Sequence, residues 1–292
     1  MSNILFTAPL DFDIALTHDF MALGEVTWSG EVWDFLGFPT CEKYNVWVCN
    51  PKANRVIDES VLRFFSHLDI LATPSTGLNH IDLDACKRRN VKVISLLDDR
   101  AGLDEISASA EFTFKLLLDA LRKPPARELS GKWVGLVGRG RIGQKVERLC
   151  RASHAKVAYY DPNNVWMKTR KVRNLGILFS KCDAVVICCT YNKETHHMIG
   201  ADLLRSMKQG AALVNTSRGE VIDEYALAMV MEERPDLRVA VDVLEGETTG
   251  TQNPQRLISR GAIVTPHIAG ETFDSRTKAA RIILELLKKE LS

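Results

Sequence analysis

Four short segments of the chain concentrate glycine, arginine, carboxylates and histidine at the ends of apolar runs. The first is Gly138-Arg139-Gly140-Arg141-Ile142-Gly143, which directly follows the apolar run Trp133-Val134-Gly135-Leu136-Val137 and precedes a helical pattern. In such a strand–turn–helix the three glycines have separate tasks. Gly138 permits a tight turn, Gly140 lets the backbone approach a pyrophosphate, and Gly143 lets the helix lie close to the strand. The helix start then presents N–H groups and a positive dipole end to the phosphates. The next apolar run ends in Tyr159-Tyr160-Asp161-Pro162. A carboxylate there accepts hydrogen bonds from ribose hydroxyls and repels a 2′-phosphate, so the pattern predicts a dinucleotide site for NAD in preference to NADP. Arg139 and Arg141 read as solvated loop charges, either of which could touch a phosphate.

The other three segments lie downstream. Asn215-Thr216-Ser217-Arg218-Gly219 delivers an arginine at a strand end, Val241-Asp242-Val243-Leu244-Glu245-Gly246-Glu247 runs from a strand into acidic residues, and Thr265-Pro266-His267-Ile268-Ala269-Gly270 holds a histidine. In a parallel sheet all three end on the same carboxyl edge as the glycine loop, the edge where open α/β sheets bind ligands. Taken singly, an arginine at a strand end reads as surface charge and a histidine after proline as a loop or core residue. His196-His197 reads as a surface pair. His80 is open between packing and a ligand cleft.

The elements that must position these segments follow from the alternation of short apolar runs with helical patterns, the signature of a parallel α/β sheet. Strands are expected at residues 4–7, 46–48, 70–72 and 91–94, with helices at 58–65 and 83–89. One long helix is expected over 104–121, its stripe formed by Ile106, Ala110, Phe114, Leu117 and Leu118, and stopped by Pro124-Pro125. A second series of strands is expected at 133–137, 157–160, 184–188, 212–215, 238–241 and 263–264, with helices at 142–152, 201–206, 224–232 and 275–291. The expected organisation is two α/β domains of parallel sheets flanked by helices. Residues 1–101 and 271–292 form one, the last helix returning to it, and residues 102–270 form the dinucleotide-binding one.

Bulk properties narrow the partners. The 292 residues carry 38 Lys and Arg against 37 Asp and Glu, a net charge of +1, which gives no reason to expect nucleic acid or an anionic membrane. No apolar run approaches the ~20 residues of a membrane helix. The start lacks the basic and apolar regions of a signal peptide, and the seven cysteines are scattered without metal-ligand spacing, so a cytoplasmic protein with reduced thiols and no metal is expected.

In their order, the glycine loop, Asn-Thr-Ser-Arg-Gly, Asp-x-x-x-x-Glu and Thr-Pro-His resemble the D-isomer-specific 2-hydroxyacid dehydrogenases, a family that includes D-phosphoglycerate, D-lactate and glyoxylate/hydroxypyruvate enzymes. Thr76-Gly77-Leu78-Asn79-His80-Ile81-Asp82 resembles the family's substrate-domain segment, and Ala110-Glu111 and Glu194-Thr195 extend the match. The resemblance implies two Rossmann-like domains with the active site in the cleft between them, and an NAD-dependent oxidoreductase acting on a D-2-hydroxy acid or 2-oxo acid. It implies that Arg218 holds the substrate carboxylate and carbonyl, that His267 is the acid/base and that Glu247 hydrogen-bonds His267. Glu245 competes for that last role, and only the offset from Asp242 selects Glu247. Histidine suits proton exchange near neutral pH, a carboxylate behind it favours the imidazolium, and arginine binds a carboxylate in a bidentate way.

Cofactor contacts are implied for Gly138, Arg141, Ile142, Asp161 and Thr190, and for Ser217, Asp242, His267 and Gly270. Backbone N–H groups of Ser75, Thr76 and Gly77 are implied to receive the substrate carboxylate. Asn50, Lys52, Arg55 and Arg100 tilt the substrate tail towards a hydrophilic or anionic group. A homodimer is implied as well, an expectation weakened by the short connection over residues 124–132; the stretch after Asp161 is also compact. Thr248 stands where the family usually has proline after the glutamate, and Cys189-Thr190-Tyr191 replaces a proline-containing turn. Two rival readings keep the same fold: an NAD(H)-sensing, corepressor-like interaction protein, and a formate- or phosphite-type dehydrogenase.

Overall fold

The computed structural model describes residues 2–9, 13–29, 39–52, 55–163 and 170–292; most of the compact stretch after Asp161 therefore lies outside it. The chain divides into two compact units, Met1–Ile106 with Thr248–Gly250 and Glu271–Ser292, and Ser107–Glu247 with Thr251–Gly270.

The first unit opens with β1 (Ser2–Phe6), α1 (Ile14–Met21), β2 (Gly24–Trp28), β3 (Val46–Val48), α2 (Glu59–Leu62), β4 (Ile70–Thr73), α3 (Leu83–Arg88), β5 (Lys92–Ser95) and α4 (Arg100–Asp104). Its five strands are all parallel, in the order β2-β1-β3-β4-β5. β3 and β4 are buried along their whole length, as strands covered on both faces must be. One core layer joins Ile4, Phe6, Leu16, Phe20 and Val48 to Ile283 and Leu287 of the last helix; the other stacks Trp47 on Phe65 under Tyr44, Val61 and Leu71.

The second unit contains α5 (Ala108–Arg122), β6 (Trp133–Val137), α6 (Arg141–Ala152), β7 (Lys156–Tyr160), β8 (Arg170–Lys171), α7 (Leu175–Lys181), β9 (Ala184–Ile187), α8 (Ala201–Arg205) and β10 (Ala212–Asn215). It continues with α9 (Glu224–Glu233), β11 (Arg238–Val241), α10 (Gln255–Ile258) and β12 (Ile263–Val264); α11 (Phe273–Leu291) then belongs to the first unit. The seven strands are again all parallel, in the order β12-β11-β10-β9-β6-β7-β8. The chain builds outward from β6 through β7 and β8, then returns to add β9 on β6's other side. This is the dinucleotide-binding strand order, and the reversal between β6 and β9 is where such sheets bind ligands.

Several elements escaped the sequence pattern. β2 and β8 are edge strands, one half-exposed and one only two residues long, with little burial to leave an apolar signature. In α1 the terminal Ile14 and Met21 are exposed, which blurs its stripe although Asp13 caps its start. α7 and α10 are short, and only the Asn174 cap marks α7. The single helix expected over 104–121 is two helices. α4 ends near Glu105 and α5 starts afresh after Ser107. Within α4, Gly102 permits close packing: a Cβ there would stand 3.0 Å from Ile282 Cγ1, so its absence lets α4 lie directly on α11. The seam between the units falls in the same break, after Ile106, where the sequence places it at 101–102.

The short connection before β6 is held by Arg238. Its guanidinium comes from β11, is 4% exposed, and donates to the carbonyls of Leu121 (2.9 Å), Lys123 (2.7 Å) and Pro125 (2.6 Å). The end of α5 and the turn after it thus find their acceptors satisfied by one buried cation rather than by a longer capping segment. Among the described residues, no helix is long and apolar enough to cross a membrane.

Candidate active site

In the second unit, the carboxyl edge gathers every segment singled out there. At β6 the chain turns through Gly138, whose φ of +88° belongs to glycine, and a Cβ would lie 2.6 Å from Cys189 Cα. A Cβ on Gly143 would stand 2.5 Å from the Gly138 carbonyl oxygen. Gly140 is the opposite case: a Cβ there would meet nothing within 4 Å. Gly140 starts α6 with no side-chain cap hydrogen bond, and Arg141 and Ile142 open the helix. Asp161 closes the site at the end of β7. Its Oδ2 accepts from Arg139 N at 2.8 Å and its Oδ1 from Asn163 N at 3.0 Å. An uncapped helix start, open space over Gly140 and a carboxylate at the neighbouring strand end together fit a dinucleotide with a free 2′-hydroxyl. Thr190 is exposed just beyond β9, where its carbonyl receives the Thr195 hydroxyl at 2.9 Å.

Arg139 departs from the sequence reading. It is no solvated loop charge: its side chain is 13% exposed and its Nε lies 2.6 Å from Glu147 Oε2. Nothing in the local sequence forecasts that pair, because Glu147 sits two turns along α6.

Beyond β10, Asn215 organises the arginine turn. Its Oδ1 accepts from Ser217 N (3.0 Å) and Oγ (2.9 Å), and its Nδ2 donates to Arg218 O at 2.9 Å. Ser217 is therefore fixed by its predecessor. Gly219 follows, and a Cβ there would come within 2.0 Å of Leu244 C. The glycine is thus needed so that the Arg218 turn can lie against the Leu244–Glu247 segment. Arg218 is half-buried, and this burial lowers its pKa from the usual arginine range while Glu247 and Glu220 pull it back up.

Asp242 is completely buried. Its Oδ1 accepts from Thr265 Oγ1 (2.5 Å) and Ile268 N (2.9 Å), and its Oδ2 from Ala269 N (2.8 Å). His267 N donates to Asp242 O at 2.9 Å. The loop is thereby clamped with His267 at φ +54°, a conformation a non-glycine residue holds only where its surroundings impose it. Three acceptor positions of Asp242, for which a cofactor contact is implied by the resemblance, go to the loop that carries His267 and ends at Gly270. Glu247 Oε2 lies 2.7 Å from His267 Nδ1, and Glu247 Oε1 accepts from Leu244 N at 2.8 Å. Glu245 is engaged elsewhere, with Oε1 2.8 Å from His197 Nε2. Of the two glutamates, the one that the offset from Asp242 selects, Glu247, is the one that lies against His267. His197 stacks on exposed His196, with ring centroids 4.0 Å apart.

In the first unit, the turn after β4 holds Ser75, exposed Thr76 and Gly77. Ser75 Oγ donates to Gly77 O at 2.7 Å and lies 3.2 Å from Thr73 Oγ1. His80 is buried, with Nε2 3.0 Å from Thr73 Oγ1 and 3.8 Å from Cys49 Sγ. Asn50 N donates to Thr7 Oγ1 at 3.3 Å. Lys52 is paired with Glu271 at 3.2 Å, Arg55 reaches Ser60 Oγ at 3.4 Å, and Arg100 is exposed. Among the described residues no cluster of histidine, cysteine and carboxylates could hold a metal ion.

Residues 106–269 match the model of the D-isomer specific 2-hydroxyacid dehydrogenase, NAD binding domain. The chain belongs to this family. It is 32% identical over 268 residues to a glyoxylate reductase of Thermofilum pendens, a match covering 80% of this chain and 76% of that protein. Its fold is that of an NAD⁺-bound 3-phosphoglycerate dehydrogenase from Entamoeba histolytica (TM-score 0.82, 22% identity, 99% and 94% of the two chains). The D-lactate dehydrogenase of Aquifex aeolicus, solved with NAD and lactic acid, is similarly close (TM-score 0.80, 24% identity, 99% and 95%). As a member of this family the protein is an NAD-dependent oxidoreductase of hydroxy acids, and NAD is its cofactor.

Proposed function

We propose that the protein interconverts a D-2-hydroxy acid and its 2-oxo acid, with Arg218, Glu247 and His267 as the residues that handle the substrate. The observation that carries this reading is the 2.7 Å contact of His267 Nδ1 with Glu247, on a loop that Asp242 fixes. When bound, NADH supplies the hydride to the carbonyl carbon. His267, its Nδ1 against Glu247, gives a proton through its other ring nitrogen to the carbonyl oxygen in reduction and takes it back in oxidation. Glu247 fixes the ring orientation and stabilises the imidazolium. Arg218 binds the carboxylate and polarises the carbonyl beside it. For the first unit, the same reading assigns carboxylate binding to the backbone N–H groups of Ser75, Thr76 and Gly77. Since Lys52 is matched by Glu271 and Arg55 leans on Ser60, a phosphorylated tail draws less support than a short hydrophilic one.

The test is NADH oxidation against a panel of 2-oxo acids with short apolar, hydroxylated and anionic tails, alongside H267Q and R218A. We expect turnover of at least one short 2-oxo acid. H267Q is expected to lower kcat by about 10²–10⁴-fold, the usual worth of a positioned acid/base. R218A is expected to raise KM and to lower kcat, since it removes both the carboxylate anchor and the group that polarises the carbonyl. NADH binding without turnover of any panel member, or undiminished kcat in H267Q, overturns the reading.

A further inference from the structure

Arg139 touches the ribose-side carboxylate with its backbone while its side chain is tied back. Its N–H donates to Asp161 Oδ2 at 2.8 Å. Its guanidinium lies over the Tyr159 ring, 5.3 Å from the centroid, and its Nε meets Glu147 Oε2 at 2.6 Å. The Glu147 side chain is 5% exposed, and its other oxygen accepts from Arg151 Nε at 2.9 Å. A carboxylate this buried is tolerated because two guanidiniums compensate it. An arginine one residue from the first glycine, with its own N–H on Asp161, is within side-chain reach of whatever hangs from the ribose 2′ position. It is also the side chain best suited to a 2′-phosphate.

We propose that Glu147 is a selectivity-determining residue for the cofactor: by holding the Arg139 guanidinium against Tyr159, it withholds a cation that would reward a 2′-phosphate. Selectivity for NAD then has two separate sources. Asp161 repels the phosphate, and Glu147 removes its ligand. The physical reason is that of any buried pair: take away the carboxylate, and Arg139 loses the charge that holds it against the ring, so it is drawn to the nearest anion. The inference rests on the reading that Asp161 faces the ribose, and it is independent of which acid is the substrate.

The test is a fluorescence titration of NADH and NADPH, which needs no turnover, on the wild type and on D161S, E147Q, E147Q/D161S and R139L/E147Q/D161S. D161S is expected to improve NADPH affinity by itself. Adding E147Q is expected to improve it by about a further tenfold, the scale of one charge-assisted contact, with NADH affinity nearly unchanged. R139L in that background is expected to abolish the second gain. E147M, which keeps the side-chain volume, replaces E147Q if the latter fails to fold. No second gain in folded protein, or a gain that survives R139L, overturns the proposal. A wild type that already prefers NADPH instead overturns the role given to Asp161, on which the proposal stands.

Discussion

The two units solve the same architectural problem with opposite chemistry at their carboxyl edges. Each is an all-parallel sheet in which the chain reverses direction beside its first strand, at β1/β3 in one and β6/β9 in the other. The edge of the second unit is ionic: Asp161, Arg218, Asp242, Glu247 and His267 all lie there, each held by named hydrogen bonds. The edge of the first holds a neutral, buried cluster, in which His80 meets Cys49 and Thr73 and Thr73 meets Ser75, with the Lys52–Glu271 pair outside it. Burial pushes the Cys49 thiol up to about 12, so it stays protonated there. Topology selects the place on a sheet where ligands bind, whereas the charges placed there decide what is done to them.

The comparison can be broken first at Asp242. D242A leaves the Thr265 hydroxyl and the Ile268 and Ala269 N–H groups without their buried acceptor. At about 1–3 kcal/mol for each unsatisfied donor, urea unfolding should report several kcal/mol lost, and kcat should fall with the displacement of His267. Unchanged stability would mean that the ionic edge is not clamped as described. T73V makes the matching test of the neutral edge by removing the hydroxyl shared by His80 and Ser75. A loss of about 1–3 kcal/mol is expected there, with kcat changed by less than about threefold, since no charge is disturbed. A drop in kcat as large as that of D242A would erase the distinction between the edges.

The smallest effect is a pH dependence away from both edges. Arg234 hydrogen-bonds Asp236 and lowers its pKa from 3.8 to about 2. A depressed carboxylate stabilises the fold fully above its unfolded value, and the contribution fades as pH falls from 3.8 towards about 2. The stability difference between wild type and D236N should therefore be constant near neutral pH and shrink below pH 3.8. A difference that persists unchanged at pH 2 would show that packing, not charge, is responsible.

How much was legible in the sequence differed by the range of the interaction. Strands at 46–48, 133–137, 212–215 and 238–241 could be read to the residue, because buried parallel strands are short apolar runs, and so could the half-buried edge strand at 263–264. The glycine loop and the order of the Arg218, Glu247 and His267 segments could be read because turn geometry and motif spacing are local. β2, α1 and the break between α4 and α5 could not: β2 is half-exposed at a sheet edge, α1 exposes its terminal Ile14 and Met21, and α4 ends near Glu105 within a continuous helical pattern. Asn215 and Gly219 were in plain view as part of a motif. That Asn215 ties the turn, and that Gly219 clears Leu244, appears only when the strands are side by side.

By itself, then, the sequence determined the α/β class, the dinucleotide loop with Asp161 beyond it, and which segments end on one sheet edge. The offset from Asp242 already pointed to Glu247 for His267, but tertiary structure alone decided the other carboxylate partners: Glu245 for His197, Asp242 for the loop, and Glu147 for Arg139. The reason is one of range. Hydrophobic periodicity and glycine freedom act between neighbours along the chain. The pairing of charges is settled by which side chains meet once burial has removed water as the alternative partner.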